Sequence, residues 1–119
     1  MVRTTLFYKK SFQLACAIGN LEIVKLLVEK GALIEAKDKK KRTALHHAVL
    51  NGQQHTAAYL LSMGADLLKG DSSGNTPSHY AAAYGWLNCL KLLAKVDSNC
   101  LSQENDWKIT PLTVAFLKG

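Results

Sequence analysis

The chain has 119 residues, 48% of them hydrophobic and 20% charged, with a net charge of +6. That balance describes one globular domain with a modest core and excludes a disordered segment, and no apolar run reaches the ~18 residues of a membrane span. The positive excess suits an acidic protein, nucleic acid or anionic lipid, and its sign alone does not choose among them.

The predicted elements follow one another in a regular way. Met1 to Lys10 lacks the apolar core of a signal peptide. Cys16, Cys89 and Cys100 show no pairing or metal spacing. An odd count without an export signal predicts a reducing, intracellular location, cytoplasmic or nuclear, with the thiols as small apolar filler. A first helix around Ala15 ends at Gly19. A second runs from Leu21 to Lys30, with Leu21, Val24 and Leu27 on one face and Ile23 beside them, and stops at Gly31. A polar turn at Asp38 then leads to Thr43, which can cap a short helix that ends at Gly52. Another helix spans about Gln54 to Met63 and stops at Gly64. The order recurs from Asp71 through Thr76 to Gly85. Asp97 to Glu104 has no such turn, so an irregular link is expected there. Asn105, Thr110 and Gly119 complete the series. Pro77 and Pro111 sit just inside predicted helix starts, where the missing N–H costs nothing.

These signals recur at a fixed interval. Thr43, Thr76 and Thr110 are 33 and 34 residues apart, and Gly19, Gly52, Gly85 and Gly119 are 33, 33 and 34 apart. Ala15, Ala48, Ala81 and Ala115 share one slot of the first helices. A small residue there lets two short helices cross closely.

This pattern resembles the ankyrin repeat, whose signature runs Asp-x-x-Gly-x-Thr-Pro-Leu-His-x-Ala-Ala-x-x-Gly-His. The third unit matches through Asp71, Gly74, Thr76, Pro77, His79, Ala81, Ala82 and Gly85. The second keeps Asp38, Thr43, Leu45, His46, Ala48 and Gly52. The fourth keeps Thr110, Pro111, Leu112, Ala115 and Gly119, and the first keeps Ala15, Gly19 and "GNLEIVKLLVEKGA". The resemblance implies an all-α solenoid of antiparallel helix pairs with β-turn or hairpin fingers. It would divide the chain into repeat one at about 6–37, repeat two at 38–70, repeat three at 71–104 and a truncated repeat four at 105–119. An artificial or proteolytic end at residue 119 is expected, because Leu112, Ala115 and Phe116 would lack a covering helix. The departures carry expectations too. Lys41 and Lys108 replace the turn glycine, so those turns should be tighter or strained. Ser78 replaces a buried leucine. Gln13 and Thr113 replace the family histidine and should weaken the local turn network.

No catalytic constellation accompanies the repeats. His46 and His79 occupy the slot where the family uses histidine structurally. Adjacent His46 and His47 point to different faces and lack the i, i+4 spacing of a helical zinc site. "GDSSGNTP" lacks the lysine of a phosphate-binding loop. No enzyme activity, metal or cofactor is expected.

The resemblance implies a protein-interaction module of a scaffold or adaptor, with a concave binding surface made by fingers and first helices. The positions left free by the framework are Lys39, Lys40, Arg42, Leu50 and Asn51 in unit two. In unit three they are Ser72, Ser73, Asn75, Ala83 and Tyr84, and in unit four Asp106, Trp107, Ile109, Leu117 and Lys118. The finger from Lys37 to Arg42 holds five basic residues and one acid, which suits an acidic protein partner. Tyr84 and Trp107 would supply apolar anchors. The alternatives are an anion-, nucleotide- or RNA-binding module and a regulatory domain of a larger enzyme. Self-association through an open C-terminal edge is also expected.

Overall fold

The structure is a computed structural model that describes residues 2–118, with side chains from residue 8 onward. Gly119, the last glycine of the repeat register, lies outside the described residues. Among the described residues there are seven α-helices: α1 (Val2–Ile18), α2 (Leu21–Glu29), α3 (Ala44–Leu50), α4 (Gln54–Ser62), α5 (Pro77–Tyr84), α6 (Leu87–Val96) and α7 (Pro111–Lys118). No strand occurs among the described residues. The helices α1, α3, α5 and α7 pack side by side as an inner row, and α2, α4 and α6 form an outer row. The body measures 44 × 25 × 20 Å. This is the expected all-α solenoid of helix pairs.

Local chemistry sets the helix limits. Thr43 and Thr76 precede α3 and α5, each in a capping box closed by a histidine three residues on. Pro77 and Pro111 open α5 and α7, and left-handed backbone at Gly19, Gly52 and Gly85 turns each first helix into its partner. The expected ends of α2 and α4 agree to within a residue. One length differs: α1 has 17 residues where a short helix was expected. No Thr-Pro start precedes Ala15, so nothing stops the helix from continuing back to Val2.

The core lies between the rows. Phe12, Cys16, Val24, Leu45, Ala48, Val49, Ala57, Leu60 and Leu93 are all buried. Register explains one weak spot. Phe12, Leu45 and Ser78 share a slot, and Ser78 is fully buried there with no regular hydrogen-bond partner for its hydroxyl. The Cys100 thiol is in reach of it but is a weak partner. The expected irregular link is a 3-10 turn, Ser98–Ser102, which Asp97 caps by accepting from the Asn99 N–H. It buries Cys100.

Lys41 and Lys108 do take left-handed backbone, at φ 59° and 62°. Each finger holds this shape by the same device. Asp38 Oδ1 accepts from the N–H groups of Lys40 and Arg42, and Asp71 and Asn105 do likewise in the next two fingers.

Candidate functional site: the finger and inner-helix surface

The fingers are tied to the inner helices by a repeated polar link. The Thr43 N–H donates to Nδ1 of His46 at 3.1 Å, so that ring nitrogen carries no proton. Nε2 of His46 therefore donates to the Asn75 carbonyl of the next finger at 2.9 Å. His79 repeats the link from Thr76 to the Ile109 carbonyl, at 3.0 and 2.7 Å. Burial lowers the pKa of both rings, which agrees with neutral imidazoles. The expected structural role of these histidines is what the geometry displays.

Gln13 corrects one expectation. It was expected to weaken the network, yet its Nε2 donates to the Ala36 carbonyl at 3.1 Å and the Arg42 carbonyl at 3.4 Å. Arg42, Asn75 and Ile109 are equivalent in the repeat, so the amide reaches the same carbonyl that the histidines reach. Fingers also bond one another, through the Ser72 N–H to the Lys40 carbonyl and the Asp106 N–H to the Ser73 carbonyl.

A groove of about 410 Å³ runs where fingers meet inner helices. It brings together Arg42, Leu50, Asn75 and Tyr84 from the expected set, with Lys118 at one side. His79, Tyr80 and Val114 line it as well. Lys39, Lys40, Asn51, Ser73, Trp107 and Ile109 lie outside that groove. Lys39, Lys40 and Asn51 are exposed, whereas Ser73 and Ile109 are partly buried and lend their carbonyls to the finger links. Tyr84 and Trp107 are 60% and 63% exposed, but they stand on different elements, the end of α5 and the tip of the fourth finger.

Arg42 is less free than the sequence suggested. Its Nε pairs with Asp38 Oδ2 at 3.0 Å, and His47 Nε2 meets the same oxygen at 3.0 Å. Burial raises the Asp38 pKa, but hydrogen bonds from the Arg42 backbone and side chain and from His47 outweigh it and hold the carboxyl low. One acid thus offsets part of the basic finger. In the next repeat the Tyr80 hydroxyl donates to Asp71 Oδ2.

Sequence reasoning omitted unit one from this surface. Leu14 and Ile18 fall at the register positions of Tyr80 and Tyr84, and they are 61% and 64% exposed. The signal was present in the 33-residue interval, but unit one lacks a finger that would have drawn attention to it.

No group of histidine, cysteine and acidic side chains among the described residues could hold a metal ion. Burial pushes the Cys16 thiol up to about 12 and raises Cys89 and Cys100, so none is poised as a nucleophile. No described helix is long and apolar enough to cross a membrane.

Family models match the chain through its third repeat and stop before the fourth finger and α7. A model of ankyrin repeats in three copies covers residues 3–71, and a single ankyrin-repeat model covers residues 73–104. Over 106 residues the chain is 67% identical to a poly [ADP-ribose] polymerase tankyrase of Caenorhabditis elegans, a match covering 89% of the chain and 5% of that protein. It is 47% identical over 60 residues to protein phosphatase 1 regulatory subunit 27 of Mus musculus, covering 50% of the chain and 39% of the relative. It is 29% identical over 110 residues to a probable 26S proteasome regulatory subunit p28 of Saccharomyces cerevisiae, covering 91% and 48%. The matched stretch is thus less than half the length of each of these relatives.

Proposed function

Because the chain belongs to the ankyrin-repeat family, whose repeats are protein-interaction modules, we propose that it serves a scaffold or adaptor protein as a non-catalytic, cofactor-free binding unit. In this reading it works inside the cell and holds an acidic protein partner along its inner helices and fingers. The observation that carries the reading is that the inner row exposes apolar side chains, Leu14 and Ile18 on α1 and Tyr84 on α5, while the second finger exposes Lys39 and Lys40. Lys39 and Lys40 steer the partner, with Arg42 held at the groove wall by Asp38. Tyr84 and Trp107 carry affinity, because large rigid rings bury area with few rotors to freeze. Leu50, Asn51, Ser73, Asn75 and Ile109 shape the surface between them.

The test is kinetic, on a partner identified by proximity labelling of the native protein. Lys39→Glu with Lys40→Glu should slow association, most at low salt. Tyr84→Ala and Trp107→Ala should each speed dissociation, with a loss of about 2 kcal/mol at a hot spot. Unchanged binding in both sets would overturn the reading.

A second reading draws on the tankyrase likeness: the repeats are the regulatory, partner-selecting part of a larger enzyme. The matching stretch is repeat sequence, so the likeness supports binding and leaves catalysis to other segments. A nucleic acid or nucleotide reading through the basic finger has less support, and a steep salt dependence of RNA affinity would favour it. Self-association through α7 is a further part of the proposal. Leu112 and Phe116 are 54% and 85% exposed, while their repeat equivalents Leu45 and Val49 are buried. Sedimentation at rising concentration, with Phe116→Glu as control, tests it.

A further inference from the structure

The outer helices α2, α4 and α6 share the 33-residue register, so their surface positions can be compared along the stack. Lys25, Ala58 and Lys91 occupy one position, and Leu26, Tyr59 and Leu92 occupy the next. Between α2 and α4, the Lys25 ammonium lies 5.5 Å from the centre of the Tyr59 ring and covers it. Between α4 and α6, the residue placed to cover Leu92 is Ala58, whose methyl group is too short. An open groove of about 480 Å³ remains there, lined by Ala58 and Leu92 together with His55, Asn88, Lys91 and Lys95.

The charge of this groove is one-sided. Lys91 and Lys95 are exposed, stand one helical turn apart on α6, and have no carboxylate partner among the described residues. No acidic residue lines the groove. Two like charges at this spacing repel each other, and a partner carrying carboxylates one turn apart would relieve that. The apolar strip of Ala58 and Leu92 offers a seat for one branched aliphatic side chain.

We propose that the α4–α6 groove is a second docking surface, which takes an acidic amphipathic helix from a protein other than the one held on the inner face. Complementary charge selects the helix, and a leucine-type side chain seated on Ala58 and Leu92 fixes its register. Two lysines around an apolar strip do not make the continuous cationic track that a phosphate backbone requires, which argues for protein over nucleic acid. The module then bridges two partners on opposite sides of one stack, independently of what the fingers bind.

The experiment uses a fluorescein-labelled acidic peptide with leucines on one helical face and glutamates flanking them, titrated with the whole chain and followed by anisotropy. Lys91→Glu with Lys95→Glu should weaken binding tenfold or more. Ala58→Gln, which fills the groove without altering its charge, should do the same. Lys39→Glu with Lys40→Glu on the second finger should leave affinity within twofold. All these positions are exposed, and helicity with the urea midpoint checks that each variant is folded. No binding by the native chain, or loss with the finger variant in place of the groove variants, overturns the proposal. So does a single-stranded RNA that competes for the site while Ala58→Gln has no effect on the peptide.

Discussion

Trp86 lies over Gly52. Its indole Nε1 donates to the Leu50 carbonyl at 3.1 Å, and a Cβ added at Gly52 would come within 2.8 Å of the ring. The preceding repeat makes the same clasp with an amide: Gln53 Nε2 donates to the carbonyls of Ala17 and Ile18, above Gly19. The residues after Gly52 and Gly85 therefore reach back, and each ties its repeat to the one before. Gly52→Ala should cost about 2 kcal/mol or more, because φ is +70° and the indole blocks the new methyl. Trp86→Ala should lose about 1–2 kcal/mol, and Trp86→Gln should recover part of that by restoring the hydrogen bond. Urea midpoints of the three variants decide it, and a Trp86→Gln no better than Trp86→Ala would mean that the hydrogen bond contributes nothing.

The histidine links make stability depend on pH in one direction. Burial lowers the folded-state pKa of His46, His47 and His79 below the ordinary value of about 6.5. The unfolded chain then binds protons more readily, so stability is fully present above pH ~6.5 and falls as the pH drops below it. Asp38, held low, adds a loss of the same sign at more acid pH. Urea midpoints should be flat from pH 8 to about 7 and decline toward 5. His46→Gln, which copies Gln13, should flatten the decline, and an unaltered slope would assign it to other groups.

Two lysines stand where a glycine suits the backbone. Lys41→Gly and Lys108→Gly should each stabilise the fold by about 0.5–1 kcal/mol, since relief of the left-handed conformation outweighs the added freedom of the unfolded chain. Thermal melts that move downward for both would show that the lysine stems contribute packing that offsets the strain.

Ala48 is fully buried where α3 crosses its neighbours. Ala48→Leu should destabilise by about 1–3 kcal/mol through overpacking. Because each repeat packs only on the next, the loss should loosen α1 and α5 as well. Hydrogen exchange confined to α3 and α4 would contradict that coupling.

The helix limits, the repeat interval and the fold class were legible because they rest on near-neighbour chemistry. A threonine before a helix, a proline inside it and a glycine after it act on backbone within a few residues. The 33-residue interval then places each unit beside the next, since repeats contact only their neighbours. Even Leu14 and Ile18 could have been found by carrying Tyr80 and Tyr84 back along that interval.

What only the folded stack decided is which side chains meet, within a finger and between repeats. Asp38 stands among lysines in the sequence, yet Arg42 and His47 capture it. Gln13 looked like a lost histidine, yet an amide at that depth spans to the same carbonyl of the next finger. Trp86 stands where the family signature ends on a histidine, yet it clasps Gly52. The outer groove exists because Ala58 is short where Lys25 is long, and the open space appears only once α4 and α6 lie side by side. Pattern sets the backbone of a repeat because its causes are local, while a surface is set by reach and direction between repeats, which no single stretch of sequence contains.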